Sequence, residues 1–332
     1  MIRMRVAAAV LGMLVLWCLT GLSGARRPGL VIYSSVGASP AVASAFTRET
    51  GIPATVVVMS TGGLLARVSA EAHHPRWDVL WFEGDGGAAA LDRSGLLARG
   101  LTPDLDWTPV GRGLLPADGA YVVTSFTLAG VFLSRTGRGP ASSPGPSDLS
   151  AVRVGMPNPA LSGPAYPLLA GMMEQGGGWP AGQAVLRRMG AAGLLVAPSN
   201  PSVLLALRAG RIDVGLVQSS AAITLSRQDS RYAVRIPRPA IILPAVAAVA
   251  ADRPADRRRV ATGFLRFVMR PDIQAIRMHQ SSHDHLFWPV TTAPAQPDLP
   301  DIATLRLIHP DPTTWGLRQA EVTTWFERTI VR

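Results

Sequence analysis

Apolar and polar positions alternate along this chain in a repeating order of short strand, polar loop and helix. Val56, Val57 and Val58 form a β-branched run of the kind that builds a buried strand. The run gives way to Ser60-Thr61-Gly62-Gly63, after which Leu64, Leu65 and Val68 return at helical spacing. The polar residues therefore sit where a strand hands over to a helix start. There the backbone N–H groups lack intrahelical partners and the helix dipole is positive. Glycines at that point let a ligand approach the main chain. Such a junction suits an anion, although Ser or Thr there also serves simply as a helix cap.

The junction recurs. Leu30 to Tyr33 reads as a strand leading into Ser34-Ser35-Val36-Gly37, with a helix over Pro40–Thr50 that stops at Gly51. Trp77 to Phe82 is a third strand, followed by Glu83-Gly84-Asp85-Gly86-Gly87 and a helix through Leu91. Three β-loop-α units in succession predict a parallel sheet covered by helices, with ligands at the carboxyl ends of its strands. Tyr121 to Leu133 is extended and reads as a first crossing between two lobes; a Gly, Pro and Ser loop over Gly137–Ser147 follows. A second α/β run begins with the strand Val152–Met156, the loop Asn158 to Gly163 and a helix from Pro164. It continues through a helix over Ala181–Met189, the capped helix Val203–Ala209, the strand Ile212–Val217 and then Gln218-Ser219-Ser220. The proline-broken apolar stretch Ile236–Ala250 predicts the return crossing plus a strand. Ala255–Met269 and Leu317–Thr329 predict helices.

Composition changes this picture in three places. With 332 residues, 48% hydrophobic and 16% charged, the chain has ample core for two domains and little resemblance to a disordered one. The formal net charge of +10 raises nucleic-acid binding, yet all 32 basic residues are arginines scattered without interleaved aromatics, so that class is set aside. Attraction to an anionic surface stays open. At the N-terminus, Arg3 and Arg5 precede the apolar run Val6–Leu22 and the small residues Ser23-Gly24-Ala25, an export-signal pattern over residues 1–25, or a membrane anchor if it is retained. Cleavage after Ala25 would remove Cys18, the one cysteine, and with it any thiol chemistry.

The order of these pieces resembles the extracellular solute-binding proteins of ABC importers, in the branch that binds ferric iron, phosphonates, sugar phosphates or thiamine. The stretches that carry the resemblance are IYSSVGASP, VVVMSTGGLLARVSAEA, DVLWFEGDGG, VGMPNPALSGPAY and LRAGRIDVGLVQSS. It implies a periplasmic binding protein type 2 fold: two α/β lobes, each a mainly parallel sheet flanked by helices, joined by two crossing strands. Residues 28–122 with 243–332 would form lobe 1 and residues 123–242 lobe 2. It also implies a periplasmic monomer that binds a small anion or zwitterion without cofactor or catalysis, and that docks on an inner-membrane permease.

By motif, the family's ligand positions fall on Ser34, Ser35 and Gly37, on Ser60, Thr61 and Gly62, on Glu83, on Ser162 and Gly163, on Asn200, and on Ser219 and Ser220. Iron binders carry adjacent tyrosines where this chain reads Gln218-Ser219-Ser220-Ala221. Hard Fe(III) needs anionic oxygen ligands, which serine hydroxyls do not supply. Hydroxyls and helix starts suit phosphate or phosphonate oxygens instead, and Glu83, with Asp85 as a possible helper, suits an ammonium group. A zwitterion such as 2-aminoethylphosphonate satisfies both. Three side readings remain. His279, His283, Asp284 and His285 could bind a metal but read better as a solvated loop. Trp81, Trp288 and Tyr166 could line the cleft, with Trp81 better placed in the core. A phosphate-ester hydrolase using Ser34, Ser60 or Ser162 would need a base that none of these loops contains.

Overall fold

The computed structural model describes residues 29–136, 152–280, 284–293 and 296–331. The export-signal pattern over residues 1–25, the Gly137–Ser147 loop and His283 lie outside them. Within the described residues the strands form two sheets.

The first sheet begins with the three predicted units. Strand β1 (Leu30–Ser34), helix α1 (Ser39–Thr50), β2 (Ala54–Val58), α2 (Thr61–Ala70), β3 (Val79–Glu83) and α3 (Asp85–Arg93) follow one another in sequence. The strands pair in parallel in the order β2-β1-β3. A short helix α4 (Pro109–Gly113) leads to β4 (Val122–Ala129). The ten-residue β10 (Ala240–Val249) runs antiparallel between β3 and β4, with the short β11 (Leu307–Ile308) parallel beside its start. Every residue of β10 is buried, which explains an unbroken apolar run where a half-exposed strand would alternate. Its Pro244 stays in the strand, opposite Phe126 of β4.

The extended piece read from Tyr121 to Leu133 is two strands in different sheets. Gly130 separates them, at a φ of 67° that favours glycine. A Cβ there would also lie 2.3 Å from Leu168 Cδ1. The second sheet has the order β7 (Leu195–Ala197), β6 (Val154–Pro157), β8 (Val214–Val217), β5 (Val131–Arg135), β9 (Tyr232–Arg235). Its first three strands are parallel, and β5 runs antiparallel to both β8 and β9. Helices α5 (Ala165–Gln175), α6 (Gln183–Ala191), α7 (Asn200–Arg208) and α8 (Ser219–Gln228) accompany it. The chain returns to the first sheet over residues 236–239, where α9 (Ala255–Val268) and α10 (Pro271–Met278) follow β10.

The apolar residues form two clusters. One packs Trp81, Phe82 and Phe264 against the first sheet; the other packs Met156, Leu169 and Leu216 in the second. The last helix, α11 (Pro312–Phe326), begins earlier than its periodicity suggests, because Asp311 caps it by accepting from Thr314 N at 2.6 Å. It crosses α3 closely at Gly86 and Gly316, where a Cβ on Gly316 would lie 2.2 Å from the Gly86 carbonyl oxygen. Its Trp315, Val322 and Phe326 nevertheless join the second cluster. The C-terminal helix therefore touches both halves of the molecule. No helix among the described residues is long and apolar enough to cross a membrane.

Candidate functional site: the interlobe cleft

The carboxyl ends of β1, β2 and β3 meet the loops after β6 and β7 across a cleft of about 250 Å³. Its walls are hydroxyls at helix starts. Ser60 caps α2 by accepting from Gly63 N at 3.2 Å, and Thr61 donates to Ser35 Oγ at 2.9 Å. From the other side come Ser162, Gly163, Ser199 and Asn200. Ser199 caps α7 through Ser202 N, and Asn158 shapes the Ser162 turn by accepting from Ala160 N at 2.7 Å.

The two lobes touch at the edge of this cleft. Gly62 N donates to Leu161 O at 3.2 Å. A Cβ on Gly62 would stand 1.9 Å from Ala160 O, and one on Gly163 would stand 2.6 Å from Thr61 Oγ1. Both glycines are thus required for the contact, a tighter demand than helix capping makes.

The floor is different in kind. Glu83 ends β3, is 6% exposed and lines the cleft. Its Oε1 accepts from Gln218 Nε2 at 2.5 Å, and the same nitrogen donates to Thr127 Oγ1 at 3.0 Å. Asn200 Nδ2 lies 3.4 Å from Gln218 Oε1. Gln218 thereby links the end of β8 to β3 and β4 of the first sheet. Burial pushes the Glu83 carboxyl up to about 8, and the negative charge of Asp284 adds to this; the hydrogen bond from Gln218 and the charge of Arg277 oppose it. At neutral pH Glu83 is mostly protonated.

Arg277 is 2% exposed. It donates to Thr124 O, Gln274 Oε1 and Ser125 Oγ, and its guanidinium lies 4.3 Å from the Phe287 ring centroid. Burial lowers its pKa to about 10, against the attraction of Asp284 and Glu83, so it stays charged at neutral pH. Asp284, expected in a solvated loop, is instead buried, with Oδ2 accepting from Gly37 N at 3.0 Å. That bond ties the post-α10 segment to the loop after β1. The solvated reading of Asp284 is therefore corrected.

The remaining expected residues divide clearly. Ser35, Ser60, Thr61, Glu83, Ser162, Gly163 and Asn200 line the cleft, and Gly62 stands at its edge. Ser34, Ser219 and Ser220 are fully buried with their hydroxyls engaged. Ser34 donates to Trp81 O and accepts from Val36 N; Ser219 accepts from Leu128 N, and Ser220 from Leu286 N. Asp85 turns away and meets His309 Nε2 at 2.6 Å. Trp81 is core, Trp288 stacks on Phe126, and the Tyr166 hydroxyl donates to Trp315 O. Among the described residues no group of three or more His, Cys, Asp or Glu could hold a metal. Thr127 and Arg277 escape sequence reasoning. Ser199 reads there only as part of a helix cap, Asp284 only as a loop residue among histidines, and Gln218 only as the residue standing where iron binders have tyrosine.

By sequence alone the chain matches no curated protein. Solved structures resemble it closely in fold at low identity. A periplasmic binding protein, AfuA from Actinobacillus pleuropneumoniae with fructose-6-phosphate bound, aligns with a TM-score of 0.78 at 18% identity, over 91% of this chain and 98% of that one. Iron-bound HitA from Pseudomonas aeruginosa aligns at 0.73 and 21%, over 91% and 99%. A periplasmic thiamin binding protein aligns at 0.74 and 18%, over 93% and 98%. The family model described as bacterial extracellular solute-binding protein matches residues 30–280. The chain belongs to that family, and the two sheets joined at Gly130 and at residues 236–239 are its two-lobed periplasmic binding protein type 2 fold.

Proposed function

We propose that this protein captures a small zwitterionic or anionic phosphorus compound outside the cytoplasm, with 2-aminoethylphosphonate as the representative ligand, and delivers it to an inner-membrane permease. The observation that carries this is the composition of the cleft. Ser35, Ser60, Thr61, Ser162 and Ser199 offer hydroxyls from both lobes, and one carboxyl, Glu83, closes the floor. Phosphonate oxygens are served by hydroxyls and helix starts. Glu83 serves the ammonium end once it gives up its proton.

The chain has four tyrosines, and none lines this cleft. Tyr33 donates to Glu71 and Tyr166 to Trp315 O. This favours a phosphorus ligand over ferric iron, because Fe(III) needs more than one anionic oxygen ligand. A hydrolase reading finds no histidine in the cleft lining to activate a serine. We assign the hinge between the lobes to Gly130 and residues 236–239, so residues 123–129 and 240–242, expected in lobe 2, fall with lobe 1, because β4 and β10 pair in the first sheet.

A thermal-shift comparison of aminoalkylphosphonates, sugar phosphates, phosphate, thiamine and Fe(III) tests the reading. A ligand at about 100 times its Kd stabilises the native state by roughly 2.7 kcal/mol. The expected result is the largest rise in Tm with an aminoalkylphosphonate. A rise with Fe(III) or thiamine and none with any phosphorus compound overturns it.

A further inference from the structure

Beneath the cleft floor lies a buried layer of charge supplied by residues that neither wall of the cleft contains. Arg277 comes from α10 and Asp284 from the segment that follows it. Among the described residues Arg277 donates to neutral oxygens, those of Thr124, Gln274 and Ser125. Its Nε and the Asp284 Oδ1 are buried without a hydrogen-bond partner among the described residues. Arg277 holds Ser125, which stands opposite Ala245, the β10 partner of Glu83, and Asp284 holds Gly37 just after β1, the strand beside β3, so both charges lie close enough to act on Glu83 through space.

The other elements packed round Glu83 present neutral groups: Thr61 from α2, Thr127 from β4, Ser162 from the loop after β6, Asn200 at the start of α7 and Gln218 at the end of β8. The balance is then simple. One buried cation offsets one buried anion, and a second anion at Glu83 has no counter-charge of its own. Low-dielectric surroundings make such an uncompensated charge costly. An ammonium group entering the cleft would supply the missing positive charge.

Resting on the zwitterion reading above, we infer that Asp284 and Arg277 are specificity-determining residues that make Glu83 exchange its own proton for the cationic end of the ligand. The balance is one neutral carboxyl plus one ammonium ligand giving a carboxylate–ammonium contact and one proton released to the buffer. No bond in the ligand changes. Arg277 keeps the charge of the layer from growing too negative for the exchange to occur near neutral pH, and Asp284 keeps Glu83 protonated when the cleft is empty.

Calorimetric titration of the purified protein with 2-aminoethylphosphonate, in two buffers of different ionisation enthalpy at pH 7.5, above the second ionisation of the phosphonate near pH 6, counts the protons. The expected count is roughly three-quarters of a proton released per ligand. Affinity should rise about fivefold from pH 7 to pH 8 and then level off. Glu83→Gln should abolish both the release and the slope. Asp284→Asn retains an oxygen for Gly37 N but removes the charge, so the levelling-off point should move to lower pH. Tight binding with no proton released, or an Asp284→Asn profile that overlays the parent, overturns the inference and leaves the proposed ligand standing. Absence of aminoalkylphosphonate binding overturns both.

Discussion

Two carboxyl groups stand two residues apart where β3 gives way to α3, and they differ in almost everything else. Glu83 turns towards the second lobe, into a setting of hydroxyls and amides, and has no ion-pair partner among the described residues. Asp85 turns the other way and meets His309 at 2.6 Å. Burial works against charge on His309, but the hydrogen bond and attraction of Asp85 outweigh it, so the imidazole pKa lies above its ordinary value. Burial alone therefore does not decide the role of a buried acid. An acid paired with an imidazole fastens structure, whereas one left without a basic partner remains available to a ligand.

The contrast can be broken most forcefully by preventing the lobes from meeting. A side chain at Gly62 would strike Ala160 O, so Gly62→Val should hold the cleft open. Ligand affinity should fall roughly a hundredfold or more, since the binding-competent state is depopulated. The unliganded Tm should stay within a few degrees, and calorimetry with thermal melts separates the two effects. Glu83→Gln comes next. Losing a charge-assisted contact costs about 1.5–3 kcal/mol, roughly a 10- to 100-fold weaker Kd for a zwitterion at pH 8. Asp85→Asn should do the reverse, lowering stability by about 1–3 kcal/mol in urea unfolding while the Kd stays unchanged.

A pH effect follows from the same contrast. Folded Glu83 holds its proton up to about pH 8, while its ordinary value is 4.5. Between those values the unfolded chain binds fewer protons, so stability falls as pH rises, by up to about 1.4 kcal/mol per pH unit from this one group. Urea midpoints at pH 5 and pH 7.5 should therefore separate more in the parent than in Glu83→Gln. The smallest effect belongs to Ser162→Ala. One wall hydroxyl is worth about 1 kcal/mol, or roughly fivefold in Kd.

What the sequence shows of this molecule follows from how local each signal is. The strand–loop–helix units are local, so β1 to α3 and the walls built from Ser60, Thr61 and Ser162 are legible from periodicity and turn chemistry. The sheet change at Gly130 is not, because β4 and β5 read as one extended run of β-forming residues and only the backbone angle at Gly130 separates them. The floor is less legible still. Asp284 reaches Gly37 across 247 residues, and Arg277 reaches Ser125 across 152. In a window of sequence Arg277 is an ordinary arginine on a short helix. Ser34, Ser219 and Ser220 show the opposite limit: each sits at a strand end as the cleft serines do, but in each the hydroxyl is turned onto the main chain.

Hydroxyl walls and a single carboxyl floor together select a ligand negative at one end and positive at the other. Isothermal titration of the purified protein near pH 8 compares 2-aminoethylphosphonate with ethylphosphonate, which differ by the amine. The amine-bearing compound should bind at least about tenfold more tightly. Equal affinities, or tighter binding of ethylphosphonate, would show that the carboxyl floor does not select the ligand.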